Sequence, residues 1–440
     1  MREYASRGGL VPATVIALAF IAGILVYEKM IIISLLLLVT ALVFYLTGFH
    51  KVPVEDRILL LTLVFGAFLV RVLFIIATHA FDNPFLTADG ITYGRIGNEI
   101  AQTWQDRGSY AINKNNFGYY YYNAVIYYIT GYYPDVVRLI NSIIAIGAAL
   151  NLYFISLWLS GRTAAKCTFV LTAFFPSFIV WSALNLKEGL CIFLISFIVK
   201  KMLELMRQFN LSKLIIIALA LVPLISLRFY LGLLIGLVIA LSFVITATNF
   251  KWNKRLIYSL LVIIVAGFTL NQMGYGFLGS DYVASQNLET IAEQHNAGAI
   301  GESSYSDGVS FDSIPNALKY FPVGLFYFAF GPLPWQSGGL LKIISLPEMF
   351  ILYLLYLFVV PGIYNLWRFK RGECLFLLIL IASFTAIYAL GGSNMGGIYR
   401  VRFQVLSLLF IFISHGMLGH KTNESGRLVS GRVGMGSGET

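Results

Sequence analysis

Apolar runs of roughly 15–25 residues recur along this chain, at about 11–27, 30–48, 58–79, 136–159, 167–184, 189–206, 214–228, 231–249, 256–272, 347–367, 374–390 and 403–419. A helix of about 20 apolar residues matches the ~30 Å hydrocarbon core of a bilayer. Inside lipid every backbone polar group must be satisfied within the protein, which favours helices. The stretch 214–249 is too long for one span and reads as a hairpin with Arg228, Phe229 and Tyr230 at its tip. The expected fold class is all-α: a polytopic membrane protein of about twelve transmembrane helices. Composition agrees, with 12% charged residues and a mean hydropathy of +0.79, where soluble domains carry about 25% charge.

The net charge of +10 would suggest nucleic acid as the partner of a soluble protein. Its distribution gives it another meaning. With the N-terminus inside, the inner segments hold 19 of the 31 basic residues but 7 of the 21 acidic ones. That asymmetry is the positive-inside signal of membrane topology, and it implies no nucleic acid. One integral domain is expected over 1–420. It comprises an N-terminal hairpin (11–48), a first outer loop (80–135) with an amphipathic helix, and a second outer loop (273–346) with a re-entrant element. A disordered cytoplasmic tail (421–440) follows. No small-residue cleavage site follows the first apolar run, so that run is read as a retained span. Cys167, Cys191 and Cys374 sit in or beside apolar runs without ligand spacing, and are expected to be reduced.

The stretch FLTADGITYGRIGNEIAQTW, from Phe85 to Trp104, breaks the apolar pattern. Asp89, Tyr93, Ile96, Ile100 and Trp104 recur at helical spacing, which predicts an amphipathic helix lying on the outer membrane surface, apolar side down. Asp89 in its first turn suits a helix cap, or a base at the membrane surface. Four basic residues reach the same face: Lys187, Arg228, Arg400 and Arg402. An arginine at a membrane edge can simply snorkel. Arg228 sits at a tight tip with no nearby acid in sequence, and Arg400 and Arg402 follow a flexible glycine loop, which suits phosphate capture.

An arginine-bearing span (Arg71) followed by an outer loop with Asp-x-x-x-Tyr at the head of an amphipathic helix resembles the GT-C superfamily, membrane glycosyltransferases that use polyprenyl-phosphate-linked sugars. The segments FFPSFIVWSALNLKEGL, with Pro176, Trp181, Lys187 and Glu188, and GGIYRVRF are similar to segments of that superfamily. YFPVGLFYFAFGPLPWQ is similar to a segment in membrane proteins of surface-polysaccharide clusters. The resemblance runs from about Arg57 to His420. It implies a plasma-membrane enzyme working on the extracytoplasmic face. A polyprenyl-phosphate-linked donor and a glycan, lipid or protein acceptor would be its partners, beside membrane lipids. It makes Asp89 the base that takes the acceptor's proton, and Lys187, Arg228, Arg400 and Arg402 the cations that hold the departing phosphate. Tyr93, Glu188, Tyr230, Trp335 and Gln336 are candidate substrate contacts.

Other roles compete for several residues. Lys187 and Glu188 can neutralise each other at a span edge. Arg71, near mid-span, needs a partner, and a structural ion pair is expected. His79 reads as a satisfied interface residue. The tyrosines at 119–122, 127, 128, 132 and 133 read first as an interface belt, with sugar stacking as the alternative. Asp82 and Asp89 lie seven apart with no neighbouring histidine. No metal or other cofactor is assigned, and a divalent metal stays an open alternative. A polysaccharide polymerase or ligase would share the outer arginines without needing an Asp-led helix. A transporter or flippase should show repeated halves, and none is seen.

Overall fold

The computed structural model describes residues 30–80, 88–110, 117–208, 210–245, isolated positions between 257 and 272, 314–335, 340–392 and 394–418. The expected span 11–27, most of 256–272, the loop 273–313, Asp82, Gln336 and the tail 421–440 lie outside the described residues. Fifteen α-helices are described and no β-strand. They are α1 (Met30–Thr47), α2 (Val54–Ala80), α3 (Ala88–Gln105), α4 (Phe117–Thr130), α5 (Pro134–Ser160), α6 (Arg162–Ala173), α7 (Pro176–Ser182) and α8 (Glu188–Arg207). After these come α9 (Leu211–Leu227), α10 (Phe229–Ile245), α11 (Ile314–Phe330), α12 (Leu340–Tyr356), α13 (Val359–Phe369), α14 (Arg371–Gly391) and α15 (Met395–Leu418).

Among the described residues, α2, α5, α14 and α15 are long and apolar enough to cross a membrane. Two bent pairs raise the number to six if each is one span: α6 with α7, bent by 56°, and the end of α12 with α13, bent by 41°. The molecule is a helical membrane protein. The other expected spans fall on helices that are shorter, such as α9 and α10, or more charged, such as α8, which carries Lys200, Lys201, Glu204 and Arg207.

The bend between α6 and α7 has a local cause. Pro176 opens α7, and the residue before it, Phe175, is extended (φ −66°, ψ 127°), as sterics before proline require. Arg71, fully buried, packs into this bend. Its Nη1 donates to the carbonyl oxygens of Ala67 (3.0 Å) and Ala173 (2.9 Å), and its Nε donates to Ser182 Oγ at 2.9 Å. The guanidinium lies 5.3 Å from the Phe178 ring centroid. The expected ion pair is therefore not the arrangement found. Ala173 closes α6, and the partial negative charge of a helix C-terminus offsets the guanidinium in place of a carboxylate.

Other expectations also shift. In the segment expected to hold the re-entrant element, α11 runs through Pro322 and ends before the Gly331–Pro332 bond. Tyr93, Ile96 and Ile100 of α3 are buried as their spacing predicts, but α4 covers them where lipid was expected. Tyr119, Tyr120 and Tyr127 of α4 are accordingly core residues, while Tyr128 and Tyr132 are exposed. His79 is paired with Asp135 at 3.0 Å, as expected of a satisfied residue.

Helix α5 is the buried centre, flanked by α1, α2, α6 and α8. Residues that the charge asymmetry assigns to one side gather at one end of the bundle. Arg162 grips buried Asp56 with two hydrogen bonds of 2.9 Å, and Lys166 reaches the same carboxylate at 2.7 Å. The opposite end gathers Asp89, Glu188, Arg228 and Arg400.

Helices α13 and α15 cross at a pair of glycines. A Cβ at Gly362 would strike the carbonyl oxygen of Phe412, and one at Gly416 would strike that of Phe358. Without a side chain, the two backbones touch. Gly362→Ala and Gly416→Ala should each force these helices apart and destabilise the protein by about 1–3 kcal/mol. A lowered thermal unfolding midpoint in detergent checks this. Gly397→Ala, at a position with open space for a Cβ, should leave the midpoint nearly unchanged.

Candidate functional site

Four elements distant in sequence meet around Glu188. This residue opens α8, follows the turn 183–187, and is 1% exposed. Its Oε1 accepts from Arg228 Nη2 at 2.5 Å and from Arg400 Nε at 2.6 Å. Arg228 is the single residue between α9 and α10, extended at φ −149° and ψ 92°. That break turns its side chain inward, where it also donates to Tyr230 Oη at 2.7 Å. Arg400, near the start of α15, donates from Nη1 to Asp89 Oδ2 at 2.7 Å. Asp89 is the second residue of α3, and its side chain is 55% exposed. Arg400 thus bridges a buried carboxylate and an exposed one.

Lys187 does not pair with its neighbour Glu188, whose described partners are the two arginines. Its ammonium lies 5.9 Å from the Tyr93 ring centroid. The residue is 6% exposed, and its ammonium makes no hydrogen bond or ion pair among the described residues. Burial, then the positive charge of Arg228, pulls Lys187 down to about 8. Burial, then the Asp89 charge, pushes the Tyr93 phenol well above its usual range. Two carboxylates, two guanidiniums and one ammonium leave this group with an excess of positive charge while Lys187 is protonated. Two buried atoms of this group have no described hydrogen-bond partner: Glu188 Oε2 and Arg228 Nε. A polar ligand could engage them.

The turn that carries Lys187 and Glu188 is held by Asn141 and Asn185, which the spacing did not single out, and by Tyr119 and Tyr122 of the expected tyrosine belt. Asn141 Nδ2 donates to the carbonyl oxygens of Leu184 (3.0 Å) and Leu186 (3.2 Å) and to Tyr119 Oη at 2.9 Å. Tyr119 in turn donates to Asn185 Oδ1 at 2.9 Å, and Tyr122 to Asn141 Oδ1 at 2.9 Å. Asn185 reaches the Gly90 carbonyl at 3.4 Å, which ties the turn to the helix bearing Asp89. A buried asparagine inside an apolar span was the available signal, because such a group must find partners. Helix α3 sits close enough because Gly97 packs on Asn123, where a Cβ would clash.

Of the expected residues, the structure brings together Asp89, Glu188, Arg228, Arg400 and Tyr230, with Lys187 and Tyr93 alongside. It does not bring Arg402 to this group. Two residues beyond Arg400 on one helix, Arg402 points about 200° away. It is buried, with Nη2 donating to Tyr327 O at 3.2 Å and Nη1 lying 3.1 Å from Met349 Sδ. Trp335 is 78% exposed, and no described contact joins it to the cluster. Among the described residues no group of three or more His, Cys, Asp or Glu side chains could hold a metal ion.

Burial separates the two acids energetically. Removing Glu188 strands two buried cations and should cost about 3–5 kcal/mol. Removing exposed Asp89 should cost at most about 1 kcal/mol. Thermal unfolding of Glu188→Ala and Asp89→Ala in detergent checks the contrast. Equal losses would show that Asp89 is as structural as Glu188.

No protein-family model and no curated protein matches the chain.

Proposed function

We propose that this chain is a membrane glycosyltransferase that moves a sugar from a polyprenyl-phosphate-linked donor to a hydroxyl acceptor on the outer face of the plasma membrane. The observation that carries this reading is the meeting of Arg228, Arg400 and Lys187 with one solvent-facing carboxylate, Asp89, at one end of the bundle. We place twelve spans with both termini inside, so that α1, α8, α9 and α10 join the longer helices. The separate gathering of the two charge sets at opposite ends supports that topology.

In the proposed reaction the acceptor oxygen bonds to the anomeric carbon as the bond from that carbon to the phosphate oxygen breaks. The acceptor's proton passes to Asp89, and polyprenyl phosphate leaves. In the structure Arg400 Nη1 occupies Asp89 Oδ2. A donor phosphate competing for Arg400 would loosen that bridge and free Asp89 Oδ2 for the proton. Arg228 is fixed by Glu188 and Tyr230, so it needs no reorganisation to stabilise the leaving phosphate. Lys187 adds charge without a competing acid. Arg402 has no part in this scheme.

Lipid extracts from cells test the base. Asp89→Asn keeps the size and an oxygen acceptor for Arg400 but removes the proton acceptor. It should be present at the parent level yet accumulate polyprenyl-linked sugar as cells lacking the protein do, with transfer down about 10²-fold or more. Asp106→Asn, at an exposed position, should behave as the parent. Parental transfer by Asp89→Asn would favour a polymerase or ligase built on the arginines alone.

The Lys187 cation predicts a pH limb. Its depressed value keeps the ammonium charged below about 8 and loses it as pH rises through that point. Transfer in isolated membranes should therefore fall across that pH, and Lys187→Arg, charged throughout, should move the fall upward. An unchanged profile in Lys187→Arg would remove Lys187 from phosphate binding.

A further inference from the structure

The opposite end of α8 carries a second feature that the outer cluster does not use. Helix α8 has 20 residues, from Glu188 to Arg207, and so is about 30 Å long. Beside its far end lies a cavity of about 640 Å³, walled by the end of α1, the end of α5 and α8. This volume lies within the range of small-ligand sites. The cavity sits where the charge asymmetry places the inner membrane surface.

Its lining is strongly unbalanced in charge. Lys51, Lys200, Lys201 and Arg207 line it, against one carboxylate, Glu204. Glu204 pairs with Lys201 at 3.0 Å. Lys200 is 6% exposed and donates to Leu46 O (3.2 Å), Thr47 O (2.9 Å) and Asn151 Oδ1 (2.6 Å). These acceptors fix its position without neutralising its charge. The aromatic walls hold cations too. The Trp158 ring lies 4.6 Å from the Arg207 guanidinium and 4.5 Å from the ammonium of neighbouring Lys370. Phe197 lies 5.4 Å from Lys200 and 5.7 Å from Lys201. The rest of the lining includes Ile155, Leu157, Leu203 and Ile216.

A cavity with several uncancelled cations, apolar walls and a place at the cytoplasmic membrane edge matches a phosphate headgroup joined to acyl chain. Basic pockets between helices on that side hold anionic lipid headgroups. We propose that this cavity binds the phosphate of an anionic phospholipid. Lys201 and Arg207 contact the headgroup, Lys51 and Lys200 supply the surrounding field, and the acyl chain lies along the apolar wall. This site is separate from the outer cluster and does not depend on the glycosyltransferase reading.

Native mass spectrometry of the delipidated full-length chain tests it, with phosphatidylglycerol, phosphatidylcholine and inorganic phosphate as probes. Phosphatidylglycerol should bind about tenfold or more tightly than phosphatidylcholine. The double variant Lys201→Gln/Arg207→Gln should lose that preference while keeping the parental unfolding midpoint. Arg368→Gln/Arg371→Gln, which removes two exposed cations outside the cavity lining, should keep it. Glu204→Gln removes the one opposing charge and should tighten phosphatidylglycerol binding, a test that survives if the double variant misfolds. Equal binding of the two lipids, equal loss in both double variants, or no tightening in Glu204→Gln would overturn the proposal. Displacement of phosphatidylglycerol by millimolar inorganic phosphate would reassign the cavity to a soluble phosphate and overturn the lipid as its source.

Discussion

The carboxylate of Glu188 holds two guanidiniums within the interior at once. Taking any of these charges from water is expensive, and the arrangement is tolerable only because each cation faces the shared anion. Much of the local architecture follows from that requirement. Arg228 must turn inward, which fixes where α9 ends and α10 begins. Arg400 must reach Glu188, which fixes the rotation of α15 and sends Arg402 to the opposite side. One acid also cannot neutralise both cations. The outer carboxylate, Asp89, takes part of the excess through Arg400, and the N-terminal end of α8 adds further positive potential.

Elsewhere the interior treats its cations differently. Arg71 donates to the carbonyl of Ala173 at the end of α6, Lys200 to those of Leu46 and Thr47 at the end of α1, and Lys370 to that of Trp158 near the end of α5. Each cation meets a helix C-terminus, where free carbonyls and the helix dipole attract positive charge. Acid pairing and carbonyl pairing therefore do different jobs here. Carbonyl-paired cations lock bends and helix ends without a carboxylate. The acid-paired group at Glu188 keeps one unpartnered donor, Arg228 Nε, and one exposed anion, Asp89.

Apolar runs and charge asymmetry carried most of the legible information. The ends of α5 and α14, the break at Arg228 and the burial of Tyr93, Ile96 and Ile100 all follow from local pattern. The bend at Pro176 and the continuity of α11 through Pro322 did not, because a proline's effect depends on whether neighbours satisfy the freed carbonyl. Spacing alone could not tell whether lipid or α4 covers α3, since both are apolar. It could also not separate Arg400 from Arg402. Only the rotation of α15, which places Arg400 at Glu188 and Arg402 against Tyr327, decides which one faces Glu188. Asn141 was missed because a lone amide in an apolar run reveals its partners only when the turn 183–187 is in place.

Asp89 and Arg400 are 311 residues apart in the chain and 2.7 Å apart in space. A chain made from its N-terminus exposes Asp89 and Glu188 before it delivers Arg400. Until α15 docks, Glu188 has Arg228 as its one described arginine and Asp89 has none. The group is therefore completed by the last described helix to emerge. Without α15 the two acids lack their bridge. The bridge between the two acids thus forms only once α15, the last of the described helices, has packed against α3 and α8.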